Sequence, residues 1–353
     1  MSEMTEKGET ILVRCPNWVG DVIMSIPMLD CLRENYPRAK MVGIARRNQQ
    51  GILRDGPWLD DFIDCRDKSW DGFWGMIKQI RTLSPDMAIL LPNSIRSLAP
   101  IRMAGVKRIY GYRRNFRGIA LKGPKPLRQA GRIVPVPMLE YYLEICRWMG
   151  LKPPAVKKPR LFIGDELQKQ GSRLLQQYGI LGQDRVIGLN PGASFGSSKC
   201  WLPEYFARTA EMFVQEMDFK VLLFSGPGEE KIATAIKAQA RVPVIDTGPE
   251  KVDLEGLKPL IRRCDLLITN DTGPRHYAVA LDVPVVVVMG PTDPGYTSTN
   301  LEKTVVLRRE LDCSPCHKKI CPTDHRCMKE ITPSMVYEAG KKLLQDHENN
   351  ASH

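Results

Sequence analysis

The sequence predicts an α/β protein built from two facing, doubly wound (Rossmann-like) domains. Short apolar runs alternate with segments of helical periodicity along most of the chain, a pattern typical of βαβ units and parallel sheets. The runs fall into two series, which are separated by a segment rich in proline and lysine, MGLKPPAVKKPRLFIGDEL. The length of 353 residues is sufficient for two domains that each bury a full core.

Each series supplies the strands of one sheet. The first contains TILVRC, MVGIA, MAILL, RIYGY and RIVPV, and the second contains RVIGLN, KVLLFS, PVIDT, DLLITN, VPVVVVM and TVVLRR. We predict a first domain over residues 1–165, a second over 166–332, and a C-terminal helix and tail over 333–353 that crosses back to the first domain. Thr332 is the expected cap of that helix, and Pro27 predicts a kink or a short helix early in the chain.

The sequence gives no sign of a membrane-spanning helix or of a signal peptide. The longest apolar runs, such as residues 283–289, are far shorter than the ~20 residues of a membrane-spanning helix. The polar, acidic N-terminus MSEMTEKGET lacks the basic start and the apolar stretch of a signal peptide. We therefore expect a cytoplasmic protein, in which most of the ten cysteines are buried free thiols.

The net charge of +11 is unevenly distributed, with a strongly basic block in the first domain. Between Asp86 and Glu140 there is no acidic residue, whereas eleven basic residues occur there. Such a block favours an anionic partner, which is a nucleic acid, an acidic membrane surface or a phosphorylated ligand. Few aromatic residues interleave it, which disfavours a stacking platform for single-stranded nucleic acid. The eleven residues are Arg96, Arg102, Lys107, Arg108, Arg113, Arg114, Arg117, Lys122, Lys125, Arg128 and Arg132.

The strand-to-helix turns are candidate site segments, because ligands of open α/β sheets bind at the carboxyl ends of the strands. The first turn lies in CPNWVGDVIMSIPML, which contains Asp21 just before an apolar helical pattern. A single carboxylate at that point suggests a general base that acts toward a ligand held by the second domain.

Three turns of the second domain suit a nucleotide diphosphate. NPGASFGSSK ends on Lys199, a point charge for phosphate, and FSGPGEEKI carries Glu229, which suits a ribose hydroxyl. In NDTGPRH, Thr272 and Gly273 offer the backbone N–H groups of a helix start, and His276 offers a further donor. Each turn alone is also explained by ordinary helix capping, and the P-loop pattern GxxxxGK[ST] is missing.

Five characteristic segments occur in a fixed order, namely CPNWVGDVIMSIP, NPGASFGSSKCWLPEYFA, NDTGPRHYAVAL, GPTDP and CSPCHKKICPTDHRCM. Together they resemble the ADP-heptose:lipopolysaccharide heptosyltransferases (glycosyltransferase family 9), and above all their type II branch. The resemblance extends from about residue 10 to about residue 345. It implies a two-domain GT-B fold, with the acceptor in the first domain and the donor in the second. It also implies an inverting, metal-independent transfer of heptose from ADP-heptose to the inner-core heptose of lipopolysaccharide (heptosyl-Kdo2-lipid A).

The resemblance also assigns roles to individual residues. Asp21 becomes the catalytic base on the acceptor hydroxyl. Lys199 and Ser194 hold the donor phosphates, Glu229 holds the ribose, and Asp271 contacts the heptose. The full donor-binding set is Ser194, Lys199, Glu229, Asp271, Thr272, Gly273 and His276. The acceptor-binding set, taken from the basic block, is Arg96, Arg113, Arg114 and Arg117.

The implied partners are ADP-heptose, the inner core of lipopolysaccharide and the anionic inner face of the inner membrane, with no nucleic acid. The basic block suits the carboxylates of Kdo, the phosphates of lipid A and such a membrane surface. The expected location is therefore cytoplasmic and peripheral at the inner membrane.

Four cysteines lie within fifteen residues in CSPCHKKICPTDHRC. The first pair has the C-x2-C spacing of zinc sites, but the second pair, C-x5-C, is wider than usual. We expect reduced thiols that pack a loop and no cofactor, and a structural zinc ion is the alternative. The four residues are Cys313, Cys316, Cys321 and Cys327.

Other functions remain open at this stage. Heptosyltransferase I or another heptosyltransferase of the same family has much the same motifs. A nucleotide-sugar epimerase of GT-B shape would use the same donor turns without a lipid acceptor, although the basic block disfavours it. A NAD-dependent oxidoreductase lacks the expected GxGxxG after the first strand, and a nucleic-acid-binding protein would leave Asp21 without a role.

Overall fold

The computed structural model describes residues 9–351, with side chains through residue 349. The chain divides into two compact units, which comprise residues 9–159 with Gly295–Thr297, and Arg160–Pro294 with residues 298–351. The division lies a few residues before the boundary expected at residue 165. One reason is local, because the backbone N–H of Leu161 donates to the carbonyl oxygen of Ala280 (3.1 Å) inside the second unit.

The first unit contains a parallel sheet whose chain order reverses near its centre. Its strands are β1 (Thr10–Arg14), β2 (Lys40–Ala45), β3 (Asp61–Asp64), β4 (Met87–Leu90) and β5 (Arg108–Gly111), with a small hairpin of β6 (Arg128–Gln129) and β7 (Arg132–Ile133). Its helices are α1 (Val19–Met24), α2 (Ile26–Asn35), α3 (Arg47–Leu53), α4 (Trp70–Leu83), α5 (Ile95–Met103) and α6 (Met138–Trp148). The sheet has the order β3-β2-β1-β4-β5, so β1 and β4 flank the topological switch point.

The strand predictions for the first unit are mostly confirmed. TILVRC, MVGIA, MAILL and RIYGY correspond to β1, β2, β4 and β5. RIVPV is wrong as a sheet strand, because Pro135 and Pro137 lack N–H donors and only Arg132–Ile133 pairs, antiparallel, with β6. The edge strand β3 was not predicted, since DFID carries an acid at each end. The short helix expected at Pro27 is confirmed, because α1 ends at Met24 and α2 begins anew at Ile26.

The second unit repeats this plan with six parallel strands. They are β8 (Arg185–Asn190), β9 (Phe219–Leu223), β10 (Val244–Asp246), β11 (Leu266–Asn270), β12 (Val285–Met289) and β13 (Thr304–Arg308). The helices are α7 (Asp165–Gln177), α8 (Pro203–Met217), α9 (Glu230–Gln239), α10 (Leu257–Arg263), α11 (Gly273–Ala280), α12 (Arg326–Lys329) and α13 (Pro333–Ala351). The sheet order is β10-β9-β8-β11-β12-β13, which confirms all six predicted strands and places the switch point between β8 and β11.

The C-terminal helix α13 was expected to cross back to the first domain, but it belongs to the second unit. The Phe213 ring on α8 lies 4.9 Å from the Tyr337 ring on α13, and the Tyr337 hydroxyl donates to Glu216 (2.8 Å). Val336 and Leu344 are buried in the same core. The apolar face of α13 is thus buried against the sheet and helices of the second unit.

Across residues 9–351, no helix combines the length and the apolar character that are needed to cross a bilayer.

Candidate functional site

The turn after β1 is held by two side chains that sequence reasoning missed. Arg14, at the end of β1, is only 2% exposed and donates from Nη2 to the Asn17 side-chain oxygen (2.9 Å). Gln49, from α3, donates to the backbone oxygen of Asn17 (2.7 Å). Both ends of Asn17 are therefore fixed immediately before α1. Asp21 lies in the first turn of that helix, where it is partly exposed beside the switch point of the first sheet.

The basic block is less uniform than its sequence indicates. Arg96 and Arg113 are exposed and Arg114 is half-buried, so these three remain candidate ligands for an anion. The block has no acidic residue within its own sequence, but Arg108 finds a counter-charge in the folded protein, where it forms an ion pair with Glu9 (2.7 Å).

Arg117 is buried, which contradicts its assignment as an acceptor-binding residue. Only 1% of it is exposed, and its guanidinium donates to the backbone oxygens of Pro92 (2.7 Å) and Tyr112 (2.9 Å) and to the Asn93 side chain (2.9 Å). Burial lowers the pKa of Arg117 from its ordinary value. Its hydrogen bonds tie the loop after β5 to the turn after β4, so Arg117 positions the loop.

A buried polar network occupies the switch point of the second sheet. The Asn190 amide, at the end of β8, donates to the hydroxyls of Thr269 (3.0 Å) and Thr272 (3.1 Å). Asn270, at the end of β11, donates to the Pro191 oxygen (2.7 Å). Thr272 makes no side-chain cap to α11, so no side-chain cap competes for the N–H groups of that helix start. The start of α11, at Thr272 and Gly273, therefore has the free N–H groups and the positive dipole end that suit an anion.

Lys199 and Asp271, predicted from separate turns, are in direct contact. The Lys199 ammonium donates to Oδ2 and to the backbone oxygen of Asp271, both at 2.9 Å. Arg275 donates to Oδ1 (2.8 Å), and the Thr292 hydroxyl donates to Oδ2 (2.6 Å). Burial raises the pKa of Asp271, but Arg275 and Lys199 outweigh it and hold this pKa well below its usual range. We call Lys199, Asp271, Arg275 and Thr292 the charge cluster.

His276 lies next to the charge cluster as a neutral group. Burial lowers its pKa to about 3, and the nearby cations Arg275 and Lys199 act in the same direction. The imidazole is therefore uncharged at neutral pH. A neutral imidazole carries one N–H donor and one acceptor nitrogen.

Glu229, on the turn after β9, bonds to Gly226 of its own turn and packs against Gly192 of the turn after β8. Its Oε2 accepts from the Gly226 N–H (2.8 Å). A Cβ atom added at Gly192 would lie 1.7 Å from Glu229 Oε1, so only glycine leaves room for this carboxylate. Burial raises the pKa of Glu229, although the Gly226 N–H opposes that shift. Ser194 lies on the same turn as Gly192 and is exposed.

Comparison with known proteins identifies the family. The family model described as glycosyltransferase family 9 (heptosyltransferase) matches residues 73–326. The chain belongs to glycosyltransferase family 9. It is therefore a glycosyltransferase, and the prediction from the sequence motifs is confirmed.

Three family 9 proteins are similar to the chain over nearly their whole length. Lipooligosaccharide heptosyltransferase 2 of Haemophilus influenzae is 29% identical over 95% of this chain and 99% of its own. The protein of the same name from Campylobacter jejuni is 27% identical over 95% and 98%. The solved structure of ADP-heptose lipopolysaccharide heptosyltransferase II of Escherichia coli is 25% identical, with a TM-score of 0.79 over 96% of this chain and 99% of that one. This likeness confirms the predicted GT-B architecture.

In this family 9 enzyme, residues 313–325 form a bracing loop across the turns that follow β8 and β12. The backbone of Lys318 and Lys319 accepts hydrogen bonds from the Ser198 hydroxyl (2.5 Å) and N–H (3.1 Å), and His325 Nε2 donates to the Ser198 oxygen (2.9 Å). The Ser314 hydroxyl donates to the oxygen of Gly290 (2.7 Å), just after β12. The loop thereby fixes the short helical turn Ser197–Lys199 that carries Lys199. Sequence reasoning gave this segment no such role.

The four clustered cysteines of this loop and of α12 are free thiols. Cys313 is exposed, whereas Cys327 is buried, and burial raises the pKa of the Cys327 thiol to about 11. Among the residues that the structure describes, no group of three or more histidine, cysteine or acidic side chains is arranged to hold a metal ion.

Proposed function

We propose that this enzyme transfers L-glycero-D-manno-heptose from ADP-heptose to the inner-core heptose of lipopolysaccharide (heptosyl-Kdo2-lipid A), with inversion and release of ADP. The relatives that match it over their full length are named heptosyltransferase 2, which favours this function over an epimerase. The observation that carries the donor assignment is the charge cluster beside the start of α11, at the switch point of the second sheet.

The donor binds at the carboxyl edge of that sheet. Its pyrophosphate contacts the backbone N–H groups of Thr272 and Gly273 and the Lys199 ammonium. Two N–H donors of that ammonium already bond to Asp271. Glu229 accepts from the ribose hydroxyls. Asp271 and the neutral His276 lie beside the heptose that is attached to this pyrophosphate. Ser194, exposed on its turn, adds a phosphate contact.

The chemistry requires one base and no covalent intermediate. Asp21 takes the proton from the acceptor hydroxyl as its oxygen forms a bond to C1 of the donor heptose. The bond from C1 to the phosphate oxygen breaks on the opposite face, and ADP leaves with the electron pair. The Lys199 ammonium and the N–H groups of α11 stabilise the charge that develops on the leaving phosphate. Neither a metal ion nor a cofactor is assigned a step in this proposal.

The acceptor binds to the first unit through exposed cations of the basic block. Arg96 and Arg113, which are exposed, and Arg114, which is half-buried, contact the carboxylates of Kdo or the phosphates of lipid A in this proposal. Arg117, being buried, is no longer proposed as a ligand. The same surface charge attracts the anionic inner face of the inner membrane, so we propose a peripheral cytoplasmic location and no nucleic-acid partner.

The deciding experiment measures ADP release from ADP-heptose with heptosyl-Kdo2-lipid A as the acceptor. We compare the wild type with Asp21→Asn, which keeps the shape of the side chain and removes the base, and expect a loss of ~10²-fold or more in kcat. The matched control is Asp71→Asn, which changes an exposed first-turn aspartate of α4 in the first unit, and for which we expect wild-type activity.

Each other result has a distinct meaning. Full activity of Asp21→Asn would refute the base assignment and leave the family intact. A preference for Kdo2-lipid A without heptose would identify a heptosyltransferase I. No ADP release with either acceptor would refute lipopolysaccharide heptose transfer as the function.

A further inference from the structure

The loop after β5 holds two large apolar side chains almost fully in water. Phe116 is 96% exposed and Ile119 is 97% exposed, whereas Arg117 between them is 1% exposed. Single exposed apolar residues are common on proteins and need no explanation. Two that flank a buried arginine on one short turn are different, because the arginine fixes the direction in which they point. We call Asn115–Ala120 the exposed turn.

The exposed turn is rigidly fixed to the sheet. The Arg117 guanidinium reaches the Pro92 and Tyr112 oxygens, and the Asn115 amide donates to the Asn93 oxygen (2.9 Å). Asn115 (φ 55°) and Phe116 (φ 60°) both have left-handed backbone, which is uncommon for phenylalanine. Such a conformation persists only where the surrounding contacts impose it. The contacts of the buried arginine and the asparagine therefore keep Phe116 and Ile119 pointing into solvent.

Other exposed apolar residues lie at the same edge of the sheet. Trp18 (54% exposed), Trp70 (75%) and Ile95 (61%) stand at the starts of α1, α4 and α5, which follow β1, β3 and β4. Because parallel strands end at one edge, these residues share the edge that carries the exposed turn. The exposed cations Arg96 and Arg113 lie on the same turns, and no acidic residue occurs between Asp86 and Glu140.

We propose that the exposed turn inserts Phe116 and Ile119 into the headgroup region of an anionic lipid bilayer. This deepens the peripheral location given under Proposed function and rests on it. Apolar side chains beside exposed cations have the composition of interfacial membrane anchors, in which burial and attraction to anionic lipid add. The cations bring the edge to the surface, and the two apolar side chains hold it there by a contact that salt does not screen.

Vesicle co-sedimentation tests the insertion. We compare phosphatidylcholine vesicles with and without phosphatidylglycerol, using the wild type and the double variant Phe116→Ser/Ile119→Ser. At about tenfold per side chain for apolar burial, the double variant should bind the anionic vesicles ~100-fold more weakly. The matched control is Leu181→Ser/Ile320→Ser, two exposed apolar residues of the second unit (47% and 73%), which should bind like the wild type.

Salt and activity separate this proposal from its alternatives. High salt should weaken wild-type binding and leave a residual part that the double variant lacks. With a delipidated acceptor in solution, the double variant should release ADP at the wild-type rate, and only bilayer-embedded acceptor should show a defect. That activity also tests heptose transfer independently of any membrane contact.

Four outcomes would overturn the insertion. The first is equal vesicle binding by the wild type and the double variant, and the second is no binding of the wild type to anionic vesicles. The third is that the double variant loses activity on the delipidated acceptor. The last of these would mean that the turn contacts the acceptor itself. A dimer that the double variant converts to monomers is the fourth, since the turn would then bind a second copy.

Discussion

Replacement of Asp271 by asparagine should destabilise the second unit strongly. The carboxylate accepts hydrogen bonds from Lys199 (2.9 Å), Arg275 (2.8 Å) and Thr292 (2.6 Å), and it is 7% exposed. Asparagine keeps the shape and removes the charge, which leaves the 2%-exposed Arg275 without its carboxylate. Breaking a buried ion pair in this way costs about 3–5 kcal/mol. For a unit of this size we expect Tm to fall by roughly 10 °C.

Thermal and urea unfolding measure this loss, and Asp282→Asn is the matched control. Asp282 accepts from Lys303 at 2.6 Å, but its side chain is 57% exposed, so the same substitution should cost less than about 1 kcal/mol. Equal losses in the two variants, or a loss below about 1 kcal/mol for Asp271→Asn, would refute the reasoning that burial of the charge cluster sets the cost.

The pH dependence gives the same prediction an independent check. Because the pKa of Asp271 is held well below its usual range, the unfolded chain takes up a proton at a higher pH than the folded protein. The stability that the ionised carboxylate contributes is fully present above about pH 4, and it is lost as the pH falls further. The difference in unfolding free energy between the wild type and Asp271→Asn should therefore narrow below about pH 4.

Two further predictions concern the donor turns. Gly192→Ala should displace Glu229, because the new Cβ would lie 1.7 Å from Glu229 Oε1. We expect KM for ADP-heptose to rise ~10-fold or more with little change in kcat. Gly182→Ala is the control, because a Cβ at that position meets nothing within 4 Å. An unchanged KM would contradict the ribose role of Glu229. In His325→Asn, the asparagine tolerates the left-handed backbone but its side chain is too short to reach the Ser198 oxygen. Donor affinity measured by calorimetry should therefore fall about fivefold. Unchanged affinity would mean that the bracing loop does not position Lys199.

The sequence predicted candidate site residues where they lie on the turn that directly follows a strand. Turns after β8, β9 and β11 carry Lys199, Glu229 and Asp271, and a parallel sheet necessarily brings such turns to one edge. Spacing could not show that Lys199 and Asp271 bond to each other, because 72 residues separate them. That contact follows from the adjacency of β8 and β11, which depends on the chain order of the whole sheet.

Arg117 shows why the basic block was harder to interpret. A buried arginine and an exposed one have the same sequence signature inside a run of cations. Arg117 is buried because the oxygens of Pro92 and Tyr112 point at it, and those carbonyls are set by the path of the backbone. The clamp on Asn17 by Arg14 and Gln49 was missed for a similar reason, since it joins segments that come together only in the folded sheet.

The charge cluster stabilises the fold, and its geometry is compatible with the donor binding that we propose for it. Two cations and one carboxylate leave a single positive charge, fixed in place by hydrogen bonds before any ligand arrives. A lysine alone on its turn would attract a pyrophosphate more strongly but would lose side-chain entropy on binding. In Asp271→Asn the net charge rises to +2, so ADP binding to the folded fraction should not weaken along with stability. Calorimetric titration with ADP below the new Tm checks this, and a parallel loss of affinity would show that the position of Lys199 matters more than its charge.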